Sequence, residues 1–354
     1  MLQSSGKTIM LFFPGPLGGA EMIVALGFKE ILELNSNVEL WIVGETRAPE
    51  AIEKFSQLVE GLPVKKFFCR SIIDLKLIKE ISLHLKTNNV AIIHAHGFKA
   101  AVYAKLALKK QKLIVTHHGK TAHTFKVRIY EFIENLIMRR ADQVIAVSEP
   151  MQKELKKQRI SSILIENFLT ISNAPETNLS DDPLKLVFIG RLSPEKGCTF
   201  LIEAMKDLDS KDFTLTMVGD GVLREELELI SNKKNTSFLG FRKDISEILS
   251  LHHVLVMPSL REGLPLTLIE ATCNKLPVIA SNVGGIPNLV TNQKNGILIN
   301  PENTQELKNA IYEMKNNFLR FKHEAQLLAP IYRERFSSET WAKKTIEIYK
   351  LFNH

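Results

Sequence analysis

The sequence predicts an α/β protein with two doubly wound domains, each a mainly parallel sheet with helices on both faces. The chain has 354 residues, too many for one ordinary core and about right for two domains of roughly 100–200 residues each. Two successive series of short apolar runs alternate with amphipathic stretches, as βαβ units require. A polar, aperiodic segment, 170–183, separates the two series and has the composition of a linker. Two domains imply a cleft.

The first series predicts a domain that spans residues 1–175. Continuous apolar runs without polar alternation are typical of strands buried on both faces of a parallel sheet. The predicted strands are Thr8–Phe13, Glu39–Val43, Ala91–Ala95, Leu113–Thr116 and Gln143–Val147.

The second series predicts a domain over residues 176–336. Its strands are Lys185–Ile189, Thr214–Val218, Ser237–Leu239, Val254–Met257, Pro277–Ala280 and Gly296–Ile299. The remaining residues, 337–354, place apolar side chains from Trp341 to Leu351 at roughly helical spacing, which predicts a terminal helix.

Composition and cysteine spacing exclude several classes of protein. A chain with 45% hydrophobic and 24% charged residues is typical of a folded soluble protein rather than a disordered one. Cys69, Cys198 and Cys273 lie far apart and show no zinc, redox or disulfide spacing. No apolar run reaches the roughly 18 residues that span a bilayer, and the run before Pro14 is too short for a signal peptide. We therefore expect a cytoplasmic protein.

Positive charge is concentrated in one stretch of the first domain. Residues 99–159 carry 14 basic and 5 acidic side chains, a net charge of +9. No aromatic interleaving or recognition motif accompanies them, so we expect no nucleic-acid binding. Two interpretations remain, an ordinary solvated helical face and a patch that binds an anionic membrane surface.

Residues that follow predicted strands of the second domain carry the chemistry, because ligands of open α/β sheets bind beyond the carboxyl ends of the strands. The loop from Gly190 to Gly197 presents Arg191 and Lys196 together. A guanidinium fork and an ammonium suit the oxygens of a diphosphate. The alternative is a plain surface turn.

The segment 258–271 contains the most specific signal, two glutamates with seven residues between them. Glu262 lies in a Gly/Pro-containing loop, and Glu270 lies one to two turns into the following helix. A glutamate at an apolar helix start is costly unless it accepts hydrogen bonds, and the vicinal hydroxyls of a ribose would donate them to Glu270. Glu262 can reach a sugar hydroxyl.

Between these glutamates, a helix N-terminus is predicted to bind phosphate. Gly263 lets a ligand approach the backbone, and unpaired N–H groups at this position favour an anion. The amides are those of Leu264, Leu266 and Thr267.

Two further turns follow strands of the same domain. Gly219-Asp-Gly221 resembles part of a dinucleotide fingerprint, but Arg224 stands where the last glycine should be. The turn 281–287 contains two adjacent glycines that allow close backbone approach. Each turn alone is weak evidence for a binding site. Together with the two charged loops, however, the turns predict one site.

The first domain also has candidates at strand ends. Gly18 and Gly19, between the first strand and helix, would let amides meet a phosphate or sugar, although a plain turn is the alternative. The pairs His94/His96 and His117/His118 follow two other strands. No third ligand is evident from spacing, so we expect these imidazoles to bind hydroxyls rather than a metal.

Taken together, these motifs resemble the family-four retaining glycosyltransferases of the GT-B fold, over nearly the whole chain. The resemblance rests on Gly18-Gly19, His118-Gly119, Gly190-Arg191 with Lys196-Gly197, Gly219-Asp-Gly221, and Glu262 to Glu270. It implies two Rossmann-like domains that face each other across a cleft. The first domain would bind the acceptor and the second the donor, and the last helix of the chain would pack on the first domain. The segment 166–168 departs from the family, which often has Asn-Gly there.

The resemblance also implies roles for individual residues. Arg191 and Lys196 would hold the donor diphosphate, Glu270 the ribose and Glu262 the transferred sugar, with Gly19 near the phosphate; His118 would lie beside the sugar and the acceptor. Transfer would retain the anomeric configuration and need no cofactor and no metal, because cations balance the leaving diphosphate.

The partners expected from this resemblance are a nucleotide-sugar donor, with a UDP-sugar favoured over GDP-mannose, and a saccharide or lipid-linked acceptor. The sugar moved would be a hexose or N-acetylhexosamine, in surface polysaccharide or lipopolysaccharide synthesis at the inner face of the cytoplasmic membrane. Two alternatives stay open: an epimerase of sugar nucleotides, and a sugar-nucleotide sensor without turnover.

Overall fold

The chain folds into two compact units. A computed structural model describes residues 6–15, 19–35, 37–71, 73–118, 125–169 and 182–352, with backbone alone at 19 and 125–131. Unit 1 comprises the chain up to Phe168 together with the segment from Ser337 onward, and unit 2 comprises Leu169–Phe336. The predicted boundary near residue 175 lies outside the described residues.

Unit 1 contains a seven-stranded parallel sheet in the order β3-β2-β1-β4-β5-β6-β7. Its strands are β1 (Lys7–Phe12), β2 (Val38–Glu45), β3 (Val64–Cys69), β4 (Val90–His96), β5 (Lys112–His117), β6 (Gln143–Ala146) and β7 (Ile163–Leu164). Its helices are α1 (Gly19–Leu34), α2 (Pro49–Leu58), α3 (Leu75–Thr87), α4 (Phe98–Ala107), α5 (Phe125–Met138), α6 (Glu149–Lys157) and α13 (Ser338–Phe352). Two apolar clusters fill its core, one on each face of the sheet.

Strand β3 has no counterpart among the apolar runs of the sequence. It pairs only with β2, at the edge of the sheet, and buries only Phe67 and Cys69. Lys65 and Lys66 interrupt its apolar pattern. An edge strand can leave one face in solvent, so it does not need the continuous apolar run of a central strand.

The terminal helix α13 packs on unit 1, against α1. A Cβ on Gly27 of α1 would lie 2.4 Å from the Trp341 ring, so only glycine allows this close approach. The Tyr349 hydroxyl hydrogen-bonds the buried His94 Nδ1 at 2.7 Å. These contacts join the two ends of the chain to one core.

Unit 2 contains a six-stranded parallel sheet in the order β10-β9-β8-β11-β12-β13. Its strands are β8 (Leu184–Ile189), β9 (Phe213–Val218), β10 (Thr236–Gly240), β11 (Val254–Met257), β12 (Val278–Ser281) and β13 (Gly296–Ile299). Its helices are α7 (Cys198–Met205), α8 (Arg224–Ile230), α9 (Ile245–Ser250), α10 (Leu266–Cys273), α11 (Thr304–Asn316) and α12 (Phe318–Arg335). The predicted strands of this unit are confirmed to within one or two residues.

Each sheet has one point where the direction of strand succession reverses. In unit 1 this point lies between β1 and β4, and in unit 2 between β8 and β11. Ligands of doubly wound sheets bind outside the carboxyl ends of the strands at such a point. The loops that follow β1, β4, β8 and β11 are therefore the places to look for a site.

The three cysteines are free and buried. Among the helices of the described ranges, none combines the length and the apolar character needed to cross a bilayer.

Candidate functional site

In unit 2, the loop after β8 is fixed against the loop after β11 through its backbone. Residues 194–196 form one turn of 3-10 helix that ends at Gly197, whose φ is +67°. A Cβ at Gly197 would lie 2.0 Å from the Pro258 carbonyl oxygen, so no other residue fits this contact. The Leu260 N–H donates to the Glu195 carbonyl at 2.9 Å.

The side chains of these two loops meet in one ion pair. Lys196 Nζ lies 2.6 Å from Glu262 Oε1, and the hydroxyl of the buried Ser259 donates to the same oxygen at 2.8 Å. The Glu262 side chain is only 8% exposed. A carboxylate this buried needs compensation, which the ammonium and the hydroxyl supply.

Two more loops pack onto this pair of loops through glycines. After β12, a Cβ at Gly284 would lie 1.9 Å from the Glu262 carbonyl oxygen, and the Gly285 N–H donates to the Gly263 carbonyl at 2.7 Å. After β9, a Cβ at Gly219 would lie 1.9 Å from the Gly190 carbonyl oxygen. The four loops thus form one backbone-packed cluster, as their sequences predict, and we call it the unit 2 loop cluster.

Arg191 is held more loosely than Lys196, although both lie on the loop after β8. Its side chain is 74% exposed, and its guanidinium lies 4.0 Å from Glu195 Oε1. The pKa of Glu195 is lowered, first by hydrogen bonding to Ser193 and to the backbone of the turn, and further by the nearby charges of Arg191 and Lys196. Among described residues, Arg191 forms no ion pair with Glu262 or Glu270.

Glu270 lies in α10, one turn past the loop that carries Glu262. It is half-buried, and desolvation raises the pKa of its carboxyl. Within the described part of the chain, no side chain donates a hydrogen bond to this carboxylate. Burial without a protein donor is the arrangement expected of a carboxylate that accepts hydrogen bonds from a ligand.

The N-terminus of α10 leaves backbone donors free, as the sequence predicts. Pro265 precedes the helix, and no side chain caps it. The first amides of a helix have no intrahelical acceptor, so those of Leu266 and Thr267 can meet an anion. A Cβ added to Gly263 would meet no described atom within 4 Å, so the space beside this glycine is open.

At the edge of unit 1, the glycine turn after β1 is only partly described. The Gly15 N–H donates to the carboxylate of the buried Glu21 at 3.0 Å, which ties the turn to the first helical turn. Gly19 begins α1, whereas Gly18 lies outside the described residues. The geometry therefore does not place Gly18.

Three histidines at the carboxyl ends of β4 and β5, His94, His96 and His118, form a cluster. His96 Nδ1 lies 3.2 Å from His118 Nε2, and the His94 and His96 ring centroids lie 4.2 Å apart. His117 points elsewhere, with its Nδ1 2.9 Å from the buried Glu134 carboxylate. Two buried nitrogens, His96 Nε2 and His118 Nδ1, have no partner among the described residues.

Burial keeps this cluster uncharged at neutral pH. Desolvation lowers the pKa of His118 to about 4, with a further contribution from His117, and it lowers the pKa of His94 to about 3. The pKa of His96 also lies well below its usual value, because burial and the neighbouring imidazoles disfavour its protonation. A neutral imidazole with a free nitrogen can accept or donate a hydrogen bond to a hydroxyl.

Some residues of these sites escaped sequence reasoning. Ser259, which orients Glu262, could have been found from its position two residues after β11. Glu21, which holds the glycine turn, lies in an amphipathic helix pattern that hides its burial. No group of three potential metal ligands occurs within the described ranges.

Family models match both units. The model described as Glycosyltransferase Family 4 matches residues 17–171, and the model described as Glycosyl transferases group 1 matches residues 183–317. The two matches follow the division of the chain into its two units.

Curated relatives agree with these models. An uncharacterized glycosyltransferase of Methanocaldococcus jannaschii is 30% identical over 248 residues, which cover 66% of this chain and 68% of that protein. A galactosyltransferase of Escherichia coli, described as UDP-Gal:alpha-D-GlcNAc-diphosphoundecaprenol alpha-1,3-galactosyltransferase, is 29% identical over 292 residues, covering 72% of this chain and 76% of that protein.

Solved structures share the fold. HepE of Anabaena, crystallised in complex with UDP, has a TM-score of 0.77 at 21% identity and covers 98% of this chain and 100% of its own. The lipopolysaccharide outer core galactosyltransferase WaaB has a TM-score of 0.74 at 18% identity, and the match covers 97% of this chain and 99% of that protein. The predicted fold, two Rossmann-like domains of the GT-B class, is confirmed. The chain belongs to the group 1 glycosyltransferases, the family that its sequence motifs resemble.

Proposed function

We propose that this chain is a retaining, metal-independent glycosyltransferase that moves a hexose or N-acetylhexosamine from a nucleotide-diphosphate sugar to a saccharide or lipid-linked saccharide. We assign donor binding to unit 2 and acceptor binding to unit 1. The pathway we favour is the synthesis of surface polysaccharide or lipopolysaccharide.

The observation that carries the donor assignment is the contact between Lys196 and Glu262 inside the unit 2 loop cluster. This contact holds an ammonium beside the open N-terminus of α10, with Glu270 half-buried on the same helix. Lys196, Arg191 and the helix amides would bind the diphosphate, Glu270 the ribose and Glu262 the sugar. Positive charge of this kind favours the departure of a diphosphate and needs no metal.

Comparison with relatives supports a UDP-sugar as the donor. The E. coli relative is named for transfer from UDP-Gal, and the HepE structure contains UDP. The acceptor in the name of the E. coli relative is a sugar on diphosphoundecaprenol, which supports a lipid-linked acceptor here.

In unit 1, we propose that His118 contacts the acceptor hydroxyl. Its low pKa keeps the imidazole neutral, so that it can accept a hydrogen bond at physiological pH. In a retaining transfer without a carboxylate nucleophile, the departing phosphate takes the proton of the acceptor hydroxyl, and His118 orients that hydroxyl.

A donor screen with the purified protein tests this function. The protein is incubated with UDP-hexoses, UDP-N-acetylhexosamines and GDP-mannose, each with and without a lipid-diphosphate saccharide, and products are identified by mass spectrometry and NMR. We expect a new glycosidic bond with the anomeric configuration of the donor. Interconversion of the free donor would instead indicate an epimerase, and donor binding without any product would indicate a sensor. An inverted product would overturn the retaining assignment.

We also propose that the basic stretch 99–159 brings the enzyme to an anionic membrane surface from the cytoplasmic side. Its exposed cations include Lys109, Lys110, Lys153, Lys156 and Lys157, whereas the side chains of Lys126 and Arg128 lie outside the described residues. Binding to anionic liposomes should fall as salt rises, because the attraction is screened. Equal binding to neutral vesicles would contradict an electrostatic origin.

A further inference from the structure

A cavity of about 600 Å³ opens at the carboxyl edge of the unit 1 sheet. Its size is that of a site for a small molecule, since such pockets hold roughly 300–1,000 Å³. Most of its wall is aliphatic or aromatic, contributed by the ends of β1 and β3 and by α4 and α5. The apolar lining residues include Phe13, Val102, Tyr103, Leu106, Ile133 and Ile137.

The polar atoms at the floor of this cavity are already satisfied. The Tyr103 hydroxyl accepts a hydrogen bond from the Asp74 N–H at 2.8 Å and lies 2.9 Å from Cys69 Sγ. Cys69 Sγ also donates to the Ser71 carbonyl. A sugar needs partners for its hydroxyls, so this floor suits a hydrocarbon better than a saccharide.

The rim of the cavity is basic. Four cations line it, of which Lys99 pairs with Glu45. Arg47 and Arg70 are exposed and make no ion pair with a carboxylate of the described ranges; the lowered pKa of Asp74 is due first to the hydrogen bond from the Leu77 N–H, and the Arg70 charge adds to it. Two guanidinium groups therefore stand at the mouth of an apolar cavity, a combination that matches a hydrocarbon chain with an anionic head.

The cavity adjoins the histidine cluster along the chain. His96 ends β4, and Phe98 and Lys99, at the start of α4, line the cavity. Phe13, which also lines the cavity, packs its ring 4.9 Å from Tyr103 and leads into the turn that Glu21 holds. An amphiphile in the cavity would thus have its anionic head at the same sheet edge as His118.

We propose that this cavity binds the lipid part of a diphospholipid-linked acceptor, with the first carbons of the chain against Val102, Leu106 and Ile137 and the diphosphate between Arg47 and Arg70. This inference deepens the proposed function and rests on it, because it names the part of the acceptor that unit 1 recognises. The saccharide beyond the diphosphate then extends toward the histidines.

Farnesyl diphosphate is a suitable probe, because it combines a diphosphate with a short apolar chain and carries no sugar. Its binding to the full-length protein is measured by calorimetry, beside farnesol and inorganic diphosphate. We expect inorganic diphosphate to bind at least about 100-fold more weakly than farnesyl diphosphate, because each buried methylene adds to affinity. Equal affinity of the two would reduce the site to a surface anion site and overturn the proposal.

Two variants locate the site. Val102→Trp fills the cavity, and the double change Arg47→Glu with Arg70→Glu reverses the charge of its rim at exposed positions that should not disturb folding. Each should weaken farnesyl diphosphate binding by at least about tenfold. The matched control, Lys233→Glu with Lys234→Glu at exposed positions of unit 2, makes the same charge change outside the cavity and should leave binding within about threefold. Equal binding by all variants, or none by the wild type, would overturn the proposal.

UDP titrations of the same proteins separate this inference from the proposed function. We expect all variants to bind UDP like the wild type, and a cooperative urea unfolding curve like that of the wild type shows that unit 1 is folded in each. Wild-type protein that binds farnesyl diphosphate but no UDP would refute the donor assignment and leave the cavity assignment standing. Wild-type protein that binds UDP but not farnesyl diphosphate would refute the cavity assignment alone.

Discussion

The carboxyl edges of the two sheets are built in contrasting ways. In unit 2, four loops pack backbone against backbone at glycines and hold a buried ion pair between Lys196 and Glu262. In unit 1, the corresponding edge holds three histidines whose pKa values are lowered, beside an apolar cavity. The unit 2 edge holds a fixed ion pair, whereas the unit 1 edge holds neutral histidines and an apolar cavity whose cations lie at its rim.

This contrast follows from what each edge is proposed to bind. A diphosphate that gains charge as it departs is best stabilised by cations whose positions are fixed before the reaction. An acceptor hydroxyl needs a neutral hydrogen-bonding group, and a lipid chain needs a wall without unsatisfied polar atoms. Substitutions in unit 2 should therefore affect the handling of the donor, and substitutions in unit 1 the handling of the acceptor.

The largest expected effect comes from Arg191. Arg191→Ala removes an exposed guanidinium without breaking a close ion pair, so that folding should be unchanged. We expect turnover to fall by at least about 10²-fold, on the scale measured for single oxyanion donors. Arg320→Ala, on the outer helix α12, is the matched control and should keep wild-type turnover. A near-normal rate for Arg191→Ala would remove this residue from the mechanism.

The next effect tests whether glycines hold the unit 2 loop cluster together. Gly284→Ala would place a Cβ 1.9 Å from the Glu262 carbonyl oxygen at a φ of +57°. We expect a loss of about 2–4 kcal/mol in the free energy of unfolding, from strain and from loop displacement. A Cβ at Gly263 would meet no described atom within 4 Å, so Gly263→Ala should keep full stability, yet weaken UDP binding if the ligand approaches there. Equal stability of both variants, measured in urea, would argue against the glycine contacts.

A smaller effect should follow from breaking the ion pair of the loop cluster. Lys196→Met leaves the Glu262 carboxylate with the Ser259 hydroxyl as its only side-chain partner among the described residues. In a double-mutant cycle with Glu262→Gln, we expect a coupling of about 1–3 kcal/mol in the free energy of unfolding. Additive effects of the two changes would show that the contact contributes nothing to stability.

The smallest effect concerns the histidines of unit 1. Between about pH 6.5 and pH 4, an unfolded chain protonates His118 while the folded chain does not, because its pKa is lowered to about 4. The stability that the neutral histidine contributes is complete above the unfolded pKa and is lost as pH falls. Relative to His118→Gln, the wild type should therefore lose about 1 kcal/mol between pH 7 and pH 5.5, seen in urea unfolding. A difference that does not change with pH would contradict the lowered pKa.

The sequence predicts most of the fold and the composition of the donor loops, because both depend on local patterns. Buried parallel strands require continuous apolar runs, and the loops that follow them carry the glycines and charges of the site. Strand β3 was missed, since its edge position tolerates Lys65 and Lys66. The spacing that begins at Trp341 predicts the terminal helix. The sequence does not show that Trp341 packs against Gly27, because that contact joins residues far apart in the chain.

Contacts between distant residues were not predictable from patterns. Lys196 and Glu262 were assigned to different parts of the donor, and their direct contact across 66 positions of the chain could not be read from spacing. The cavity of unit 1 draws its wall from five separate elements, so no periodicity signals it. Gly18 and the boundary near residue 175 lie outside the described residues, and their roles stay predictions.

UDP titration of Glu270→Ala tests the central claim most directly, because the unit 2 loop cluster must hold a nucleoside diphosphate for the enzyme to work. The wild type should bind UDP, and loss of a half-buried carboxylate that accepts ribose hydroxyls should weaken binding by at least about tenfold. Glu226→Ala, at an exposed position of α8, should bind like the wild type. Unchanged UDP affinity in Glu270→Ala would contradict the ribose assignment, and absence of UDP binding by the wild type would contradict the donor site as a whole.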